Sequence, residues 1–465
     1  MLKLKDNTKA EYKSVLPETF KNKLNISDIE KLYLSKMSNK NLIGLEYERL
    51  SLDKNTLKNA KYSTMEKIIR NFAGIMSWEL IYDDRVVIGA KDNLGTSISL
   101  EPGCQIELSL APFENLIDID RFASKILNLL DEIANSYGVI FLGYGISPVS
   151  APDEIEIINK RRYQLMNNYL PYCEYGEFCP KMMRQTAGIQ INVNFKINSD
   201  AYKKLQFLNL IMPFMMGLTS NSPFENNKLT NFKSLRANSW LYTGKNRCNL
   251  FYKEIFKKFF NKKRNIFKNY INEILKVPML YLERNNELLN INGEITFAQF
   301  MENGYNGQFA TKEDYLIHQS LCFPDVRLKN YIEIRNHDSS SLRMALALCA
   351  MYKGLSSCNV DYLLLEFNFL SIDEIERLNR DIIIDGLNIE VKNGITGWNV
   401  VEKLFKIAIT NLSFKEKIYI EPFVKIIKTR KTQADILQDN NILNAFELVE
   451  FINKYYKNSK NCQSK

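Results

Sequence analysis

LIYDDRVVIGAKDNLGTSISLEPGCQIELSLAP, residues 80–112, contains four short apolar runs that are separated by polar, turn-forming residues. Asp83-Asp84 divides the first two runs, and the tetrapeptide Asp92–Gly95 separates the second run from the third. Short β-prone runs joined in this way are typical of an antiparallel meander. The stretch therefore predicts hairpin-connected strands rather than βαβ units.

Further strand and helix patterns lie on both sides of the meander. NLIGLEYERLSL (41–52) and AGIQINVNF (187–195) alternate in a way that predicts strands, and YIEIR (331–335) reads as another short strand. Helical patterns cover 65–76, 116–137, 153–170, 200–218 and most of the chain after residue 339. We predict an α+β fold, with a mainly antiparallel, funnel-shaped sheet flanked by helices and a helical C-terminal part.

The chain divides by pattern into three predicted regions. Residues 1–40 are predicted to form a polar, partly helical N-terminal extension, residues 41–352 a catalytic α+β core, and residues 353–465 a helical region packed on that core. Residues 221–249, rich in Asn, Ser and Lys, lack clear periodicity and are predicted to form a long functional loop or lid.

Composition and charge narrow the function classes. The net charge of +9 is mild for 465 residues, and the Lys-rich run 257–269 reads as a solvated amphipathic helix, so no nucleic-acid partner is expected. The N-terminus lacks a signal-peptide core, and the apolar runs are too short to span a bilayer, so we expect a cytoplasmic protein without a membrane partner. With two His and no CxxC pair among eight Cys, any metal site should use carboxylates, which favour Mg²⁺ or Mn²⁺.

Carboxylates recur at alternate positions of the predicted strands. Glu46 and Glu48 are two residues apart and so share one face of a strand, as do Glu333 and Arg335. Crowded carboxylates are unfavourable unless a cation neutralises them, and Mg²⁺ can do so while bridging to ATP phosphates. The alternative is that they are the solvent-facing halves of ordinary strands. The acidic candidates are Glu46, Glu48, Glu101, Glu107 and Glu333.

Basic side chains suited to phosphate or carboxylate groups are also present. Arg327 and Lys329 would lie on one face of an extended segment. Each of these side chains alone is also consistent with an ion-paired surface residue. No GxxxxGK[ST] motif is present, which argues against a P-loop. The basic candidates are Arg162, Arg184, Arg236, Arg247, Arg327, Lys329 and Arg335.

Eight blocks together resemble the plant and proteobacterial type of glutamate–cysteine ligase, within the carboxylate–amine ligase superfamily that also includes glutamine synthetase. They keep the family's order and approximate spacing, and weaker similarity extends the coverage from about residue 40 to about residue 450. The blocks are IGLEYER (43–49), SISLEPGCQIELSLAPFENL (97–116), FLGYGISP (141–148), NKRRYQLMNNYLP (159–171), MMRQTAGIQINVNF (182–195), NSPF (221–224), FKSLRANSW (232–240) and FPDVRLKNYIEIR (323–335).

The resemblance implies ATP-dependent joining of the glutamate γ-carboxylate to the amine of cysteine through γ-glutamyl phosphate, with Mg²⁺ or Mn²⁺, by a monomer or homodimer. It implies that the metal ligands are Glu46, Glu48, Glu101, Glu107, Gln190 and Glu333. Arg327, Lys329 and Arg335 look like the catalytic, ATP-phosphate-binding group. Arg236 looks like the ligand of the glutamate α-carboxylate, and the remaining substrate-binding candidates are Tyr163, Met166, Trp240 and Arg184.

The chain departs from this pattern at a few positions. Cys104 stands where the family usually has Gly, Ala187-Gly188 replaces a common Cys-Thr, and RNHD (335–338) replaces an RGAD-like run. The disulfide cysteines of the plant proteins have no clear counterparts. Two alternatives stay open, namely the same chemistry on a different amine and a nucleotide-binding homologue without turnover.

Overall fold

One antiparallel sheet of nine strands forms the centre of the structure, a computed structural model that describes residues 23–35, 37–244, 246–248, 266–285, 287–367 and 370–458. The strands are β1 (Ile43–Asp53), β2 (Glu79–Asp83), β3 (Val86–Lys91), β4 (Ser97–Leu100), β5 (Ile106–Ser109), β6 (Val139–Leu142), β7 (Gly188–Val193), β8 (Phe224–Glu225), β9 (Lys228–Leu229), β10 (Tyr281–Arg284), β11 (Glu287–Asn290), β12 (Val326–Leu328), β13 (Ile332–Asp338), β14 (Glu390–Lys392) and β15 (Ile395–Thr396).

Helices flank this sheet and make up most of the C-terminal third of the chain. They are α1 (Ile26–Leu34), α2 (Tyr62–Met76), α3 (Leu116–Ser136), α4 (Arg161–Tyr169), α5 (Cys179–Gln185), α6 (Asn198–Leu218), α7 (Leu235–Leu241), α8 (Ile266–Leu275), α9 (Phe297–Asn303), α10 (Lys312–Ser320), α11 (Leu342–Ser357), α12 (Val360–Phe367), α13 (Ile372–Asp385), α14 (Gly397–Thr410), α15 (Glu421–Thr429), α16 (Gln433–Asp439) and α17 (Ala445–Asn458).

The strand order in the sheet is β12-β13-β7-β1-β5-β4-β3-β2, and β6 pairs with the C-terminal half of β1. The meander β2 to β5 is present, and every strand pair of this sheet is antiparallel. The predicted α+β class is therefore confirmed.

Alternation along β1 separates the two faces of the sheet. The side chains of Ile43, Leu45 and Tyr47 are buried in the main hydrophobic core, where helices cover the sheet. Glu46 and Glu48 point to the opposite face because side chains alternate along a strand. The apolar face thus fixes the register, and a slip of one residue would bury both carboxylates in the core.

The predicted helix over 153–170 is only partly present. A short 3₁₀ turn covers Pro152–Glu154, and the α-helix begins at Arg161. Between them the chain crosses the meander, where the amide of Ile158 donates to the carbonyl of Pro102 at 3.0 Å. The pairing of this backbone with the β4–β5 turn explains why the helical pattern is interrupted.

The prediction of a long loop or lid over 221–249 was wrong for the described residues of that segment. It contains the β8–β9 hairpin and α7, and its first part is buried against the sheet. The buried carboxylate of Asp338 accepts hydrogen bonds from the backbone N–H of Asn221 (2.8 Å), the Ser222 hydroxyl (2.6 Å) and the Ser234 hydroxyl (2.8 Å). These polar residues of the segment 221–249 are therefore paired inside the protein. Amino-acid composition does not distinguish them from solvated polar residues.

The C-terminal helices pack directly on the sheet and its covering helices. Eleven residues of α11 are buried, and the predicted boundary at residues 352 and 353 lies inside this helix. The division of the chain into three domains stays a prediction. Residues 1–22 and 257–265, parts of the predicted N-terminal extension and of the Lys-rich run, lie outside the described residues.

Within the described part of the chain, no helix is long and apolar enough to cross a membrane.

Close packing at Gly143 gives a first prediction about the fold. A Cβ atom there would lie 1.9 Å from the carbonyl oxygen of Ser340, which also accepts a hydrogen bond from the Tyr47 hydroxyl (2.5 Å). We expect Gly143→Ala to lower the free energy of unfolding by about 1–3 kcal/mol, because backbone must shift. Gly74→Ala, on α2 with nothing within 4 Å of the new Cβ, should be neutral or stabilising. Urea unfolding followed by circular dichroism measures both, and equal midpoints would contradict this packing.

Candidate active site

A cavity of 250 Å³ opens on the polar face of the sheet. It collects most of the residues that the sequence singled out, from β1, β5, β7, β12, β13, α4 and α7. Those lining it are Glu46, Glu48, Glu101, Glu107, Tyr163, Met166, Gln190, Trp240, Arg327, Lys329, Glu333 and Arg335. Arg184 and Arg236 are not among the lining residues.

Strand register brings the acidic side chains together. Glu48 on β1 lies opposite Glu107 on β5, and Glu46 lies opposite Gln190 on β7. The Gln190 side-chain amide donates to Glu48 at 2.5 Å, and the Asn192 amide donates to Glu46 at 2.8 Å. Neutral donors therefore hold the carboxylates in place without cancelling their charge.

Burial and crowding raise the pKa values of three of these glutamates. Burial, followed by the nearby Glu101, raises the pKa of Glu48 to about 7. Burial first, and then Glu333, raises the pKa of Glu46. The pKa of Glu107 lies well above its usual value, mainly through burial and then through neighbouring carboxylates. A cation bound among them would relieve both effects.

Glu333 is the exception, because three cations surround it. Its carboxylate lies 2.5 Å from Nε of Arg327, 3.1 Å from Nζ of Lys329 and 3.3 Å from Nη1 of Arg335. Burial alone would raise the pKa of Glu333, but the charges of Arg327, Arg335 and Lys329 outweigh it and hold the pKa well below its usual value. The cavity is thus lined by an acidic patch and by this charge cluster, whose charges also act on Glu46.

The donor chemistry of the acidic patch fits a hard cation. Carboxylates and an amide carbonyl are the oxygen ligands that Mg²⁺ and Mn²⁺ take, and Mg²⁺ usually binds one or two carboxylates together with phosphates and water. Among the described residues, no group of three His, Cys, Asp or Glu side chains is arranged to hold a metal ion. The six assigned metal ligands therefore stay a prediction, and Glu333 is already bonded to protein cations.

Arg236 lies just behind the cavity wall with a guanidinium that is only partly satisfied. Arg236 is 2% exposed, and its Nη2 donates to the backbone carbonyl of Arg335 at 3.0 Å. Within the described residues, its Nε and Nη1 have no hydrogen-bond partner, and neither does the indole Nε1 of Trp240, whose ring lies 5.7 Å from the guanidinium carbon. Buried N–H groups without partners are costly, so this pair of side chains suits an anionic ligand.

Arg184 lies elsewhere and has a different set of partners. Its guanidinium donates to the carbonyl of Pro152 (2.7 Å) and to the side-chain oxygen of Asn167 (2.8 Å). These bonds tie α5 to the turn before α4 and to α4 itself. The structure therefore does not bring Arg184 to the cavity with the other substrate-binding candidates.

Lys160 and Arg162 line the cavity beside the predicted residues. The ammonium of Lys160 lies 4.5 Å from the ring centroid of Tyr163, and burial lowers its pKa. Sequence reasoning gave Lys160 no role and named Arg162 only as a general anion-binding candidate, because a single basic side chain is also consistent with an ion-paired surface residue. The other additional lining residues are Pro102, Gln105, Met182, Met183, Thr186, Ser320 and Phe323.

The residues that differ from the family pattern lie outside this lining, whereas Arg335, which RNHD (335–338) shares with the RGAD-like run, is part of it. Cys104 is buried in the β4–β5 turn with a φ of 67°, the left-handed region that favours glycine. This conformation explains why Gly is usual there. Ala187 is buried beside Gly188, whose amide donates to Glu48 at 2.6 Å. A Cβ atom at Gly188 would lie 2.3 Å from Nη2 of Arg236, so glycine leaves room for this guanidinium.

Comparisons with known proteins agree with the fold and the cavity. A sequence model of glutamate–cysteine ligase family 2 matches residues 42–371. The chloroplastic glutamate–cysteine ligase of Arabidopsis thaliana is 31% identical over 412 residues, covering 86% of this chain and 76% of that protein. The Brassica juncea protein of the same name is 31% identical over 405 residues, covering 85% and 76%.

Among solved structures, a glutamate–cysteine ligase from Francisella tularensis in complex with AMP shares the fold. It has a TM-score of 0.55 at 14% identity and covers 90% of this chain and 87% of that chain. The family model and the relatives at 31% identity define the class of the protein, which is that of the glutamate–cysteine ligases. Within that class, the chain belongs to glutamate–cysteine ligase family 2, as its eight sequence blocks had indicated.

The raised pKa of Glu48 gives a prediction about pH. With a pKa of about 7 in the folded protein and 4.5 as the ordinary value, the folded state binds more protons between these values. The free energy of unfolding contributed by this group therefore falls as pH rises through that window and is then constant. We expect the melting temperature of the metal-free protein to fall between about pH 5 and about pH 8, and added Mg²⁺ to oppose the fall.

The control for this prediction is a matched pair of variants. Glu48→Gln should flatten the pH dependence, whereas Glu132→Gln, on an exposed position of α3, should keep it. Identical melting curves for the Glu48→Gln and wild-type proteins at every pH would contradict the assignment.

Proposed function

We propose that this protein is a glutamate–cysteine ligase, which uses ATP to join the γ-carboxylate of L-glutamate to the amine of L-cysteine. The products are γ-glutamylcysteine, ADP and phosphate, the first step of glutathione biosynthesis. Membership of glutamate–cysteine ligase family 2 and relatives at about 30% identity over most of the chain support this function. The observation that carries it is the cavity, which is lined both by an acidic patch and by three cations around Glu333.

The first half of the reaction transfers a phosphoryl group. A γ-carboxylate oxygen of glutamate attacks the γ-phosphorus of ATP, the bond to the β–γ bridging oxygen breaks, and ADP leaves with that electron pair. Arg327, Lys329 and Arg335 would stabilise the negative charge on the transferred phosphoryl oxygens. Their bonds to Glu333 hold these cations in position before the nucleotide arrives.

The second half forms the amide. The amine of cysteine attacks the acyl carbon of γ-glutamyl phosphate, phosphate leaves, and the amine loses a proton. Mg²⁺ or Mn²⁺, when bound, would neutralise phosphate charge, and the cavity residues that would hold it are Glu46, Glu48, Glu101, Glu107 and Gln190.

Glutamate would be held through its α-carboxylate. The N–H groups of Arg236 and Trp240 that have no partner among the described residues support this role, since a carboxylate accepts from both. Tyr163 and Met166, both buried at the wall, would contact the aliphatic part of the substrate.

A test of turnover compares the purified protein with and without cysteine. With Mg²⁺, ATP and glutamate, we expect cysteine-dependent ADP release and γ-glutamylcysteine detectable by mass spectrometry. Glu46→Gln should reduce the rate by about 100-fold or more, because it removes charge at the acidic patch, whereas Glu132→Gln should not. Turnover that needs glutamate but ignores cysteine would point to another acceptor amine, and no turnover with any amine would contradict an enzyme.

A second test concerns the glutamate site. Arg236→Lys should raise KM for glutamate about 10-fold or more and leave KM for ATP nearly unchanged, because a lysine cannot reproduce bidentate carboxylate binding. Arg184→Lys is the matched control, since the partners of Arg184 are Pro152 and Asn167. Equal effects of the two substitutions on KM for glutamate would rule out the role of Arg236.

A further inference from the structure

A β-bulge interrupts β13 where the strand passes the active-site cavity. The pairing of β13 with β7 shifts register between Ile334 and His337, whose partners on β7 are only two residues apart. The two residues between them, Arg335 and Asn336, therefore lie opposite one residue of β7, Gln190. An extra residue of this kind bends the strand and re-aims its side chains, and such bulges are frequent beside active sites.

The bulge also decides which face of the sheet the following residues meet. Without it, Asp338 would share the apolar face with Ile334, because side chains alternate along a strand. With it, His337 lies opposite Ile189 and joins the apolar face, which helices cover. Asp338, the next residue, thereby turns to the polar face of the sheet.

Two arginines of the proposed reaction depend on this bulge. Nη1 of Arg335 lies 3.3 Å from the carboxylate of Glu333, and the backbone carbonyl of Arg335 accepts from Nη2 of Arg236 at 3.0 Å. Asp338 accepts from the hydroxyl of Ser222, which in turn accepts from the backbone N–H of Arg236 at 3.2 Å. A shift of the bulge would therefore move both guanidinium groups.

His337 holds the bulge from the apolar face. It is fully buried, with Nδ1 at 2.9 Å from the hydroxyl of Thr219, after the end of α6, and Nε2 at 2.8 Å from the hydroxyl of Tyr352, on α11. The Thr219 hydroxyl donates to the carbonyl of Met215 at 2.9 Å, so it accepts from Nδ1–H, and Nε2 accepts from Tyr352. Burial lowers the pKa of His337 to about 3, so the ring is neutral at physiological pH and keeps this arrangement.

We propose that His337 is a positioning residue of the active site, which holds the bulge in β13 and through it the guanidinium groups of Arg335 and Arg236. His337 stands where the RGAD-like run of the family has alanine, so the resemblance to the family does not account for this role. The assignment rests on the proposed function, in which Arg335 acts on the phosphoryl group and Arg236 on glutamate.

The test compares the steady-state kinetics of His337→Ala with those of the wild-type protein. Because both hydrogen bonds to the bulge are lost, we expect KM for glutamate to rise about 10-fold and kcat to fall about 10-fold or more. KM for ATP should change by less than about twofold, because Arg327 and Lys329 precede the bulge. His337→Asn, whose side-chain amide can donate to Thr219 in place of Nδ1, should restore most of the affinity for glutamate.

The other histidine of the chain, His318, gives a matched control. It is 2% exposed, burial lowers its pKa to about 3, and its Nε2 lies 3.0 Å from the carbonyl of Ile274. His318→Ala should lower the melting temperature, as His337→Ala does, because each leaves a cavity in the core. It should leave kcat and KM for glutamate unchanged.

Each outcome decides the assignment. Unchanged kcat and KM for glutamate in His337→Ala would overturn it and leave the proposed function intact, as would equal changes in His318→Ala. Tyr352→Phe, which removes one hydrogen bond and keeps the ring, should raise KM for glutamate about threefold. If His337→Ala does not fold, wild-type kinetics in both Tyr352→Phe and His337→Asn would overturn the assignment. A wild-type protein without turnover on any amine would overturn the proposed function together with this role of His337.

Discussion

The buried ionic cluster of Glu333 with Arg327, Lys329 and Arg335 is the interaction on which the candidate site depends. Burial first, and then neighbouring carboxylates, raise the pKa of Glu46 and of Glu107, so a buried sheet face that carried only carboxylates would suppress their ionisation. The three cations keep Glu333 ionised, and Glu333 in turn fixes them at the edge of the acidic patch. Breaking one partner out of such a buried cluster leaves uncompensated charge, so the cluster has to be preserved as a unit.

The fold supplies this cluster through strand register. Arg327 on β12 lies opposite Glu333 on β13, and Glu333 lies opposite Asn192 on β7, whose side chain holds Glu46 on β1. The apolar halves of the same strands are buried beneath helices such as α11, which makes a register slip expensive. Asp338, at the end of β13, then holds the segment that leads to α7 and Arg236. Packing of the apolar face of the sheet thus positions the charged side chains on the polar face.

Local pattern predicted the parts of the site that follow from alternation. Glu46 and Glu48 share a face, and Arg327 and Lys329 converge on Glu333. Sequence pattern did not predict the parts of the structure that depend on tertiary contacts. Arg184 resembles a substrate-binding arginine in sequence, but its guanidinium donates hydrogen bonds to Pro152 and Asn167. The polar residues after 221 looked solvated because nothing local shows that Asp338 binds them. The position of α1 likewise depends on contacts with α10, far along the chain.

The most direct test of the reaction follows the oxygen atoms of the glutamate γ-carboxylate. With both oxygens labelled as ¹⁸O, turnover with ATP and cysteine through γ-glutamyl phosphate transfers one labelled oxygen to each phosphate released. Phosphorus NMR of the product phosphate should then show the isotope shift of a single ¹⁸O, and γ-glutamylcysteine should retain the other. Phosphate without label, formed in step with γ-glutamylcysteine, would contradict activation of the γ-carboxylate by phosphoryl transfer.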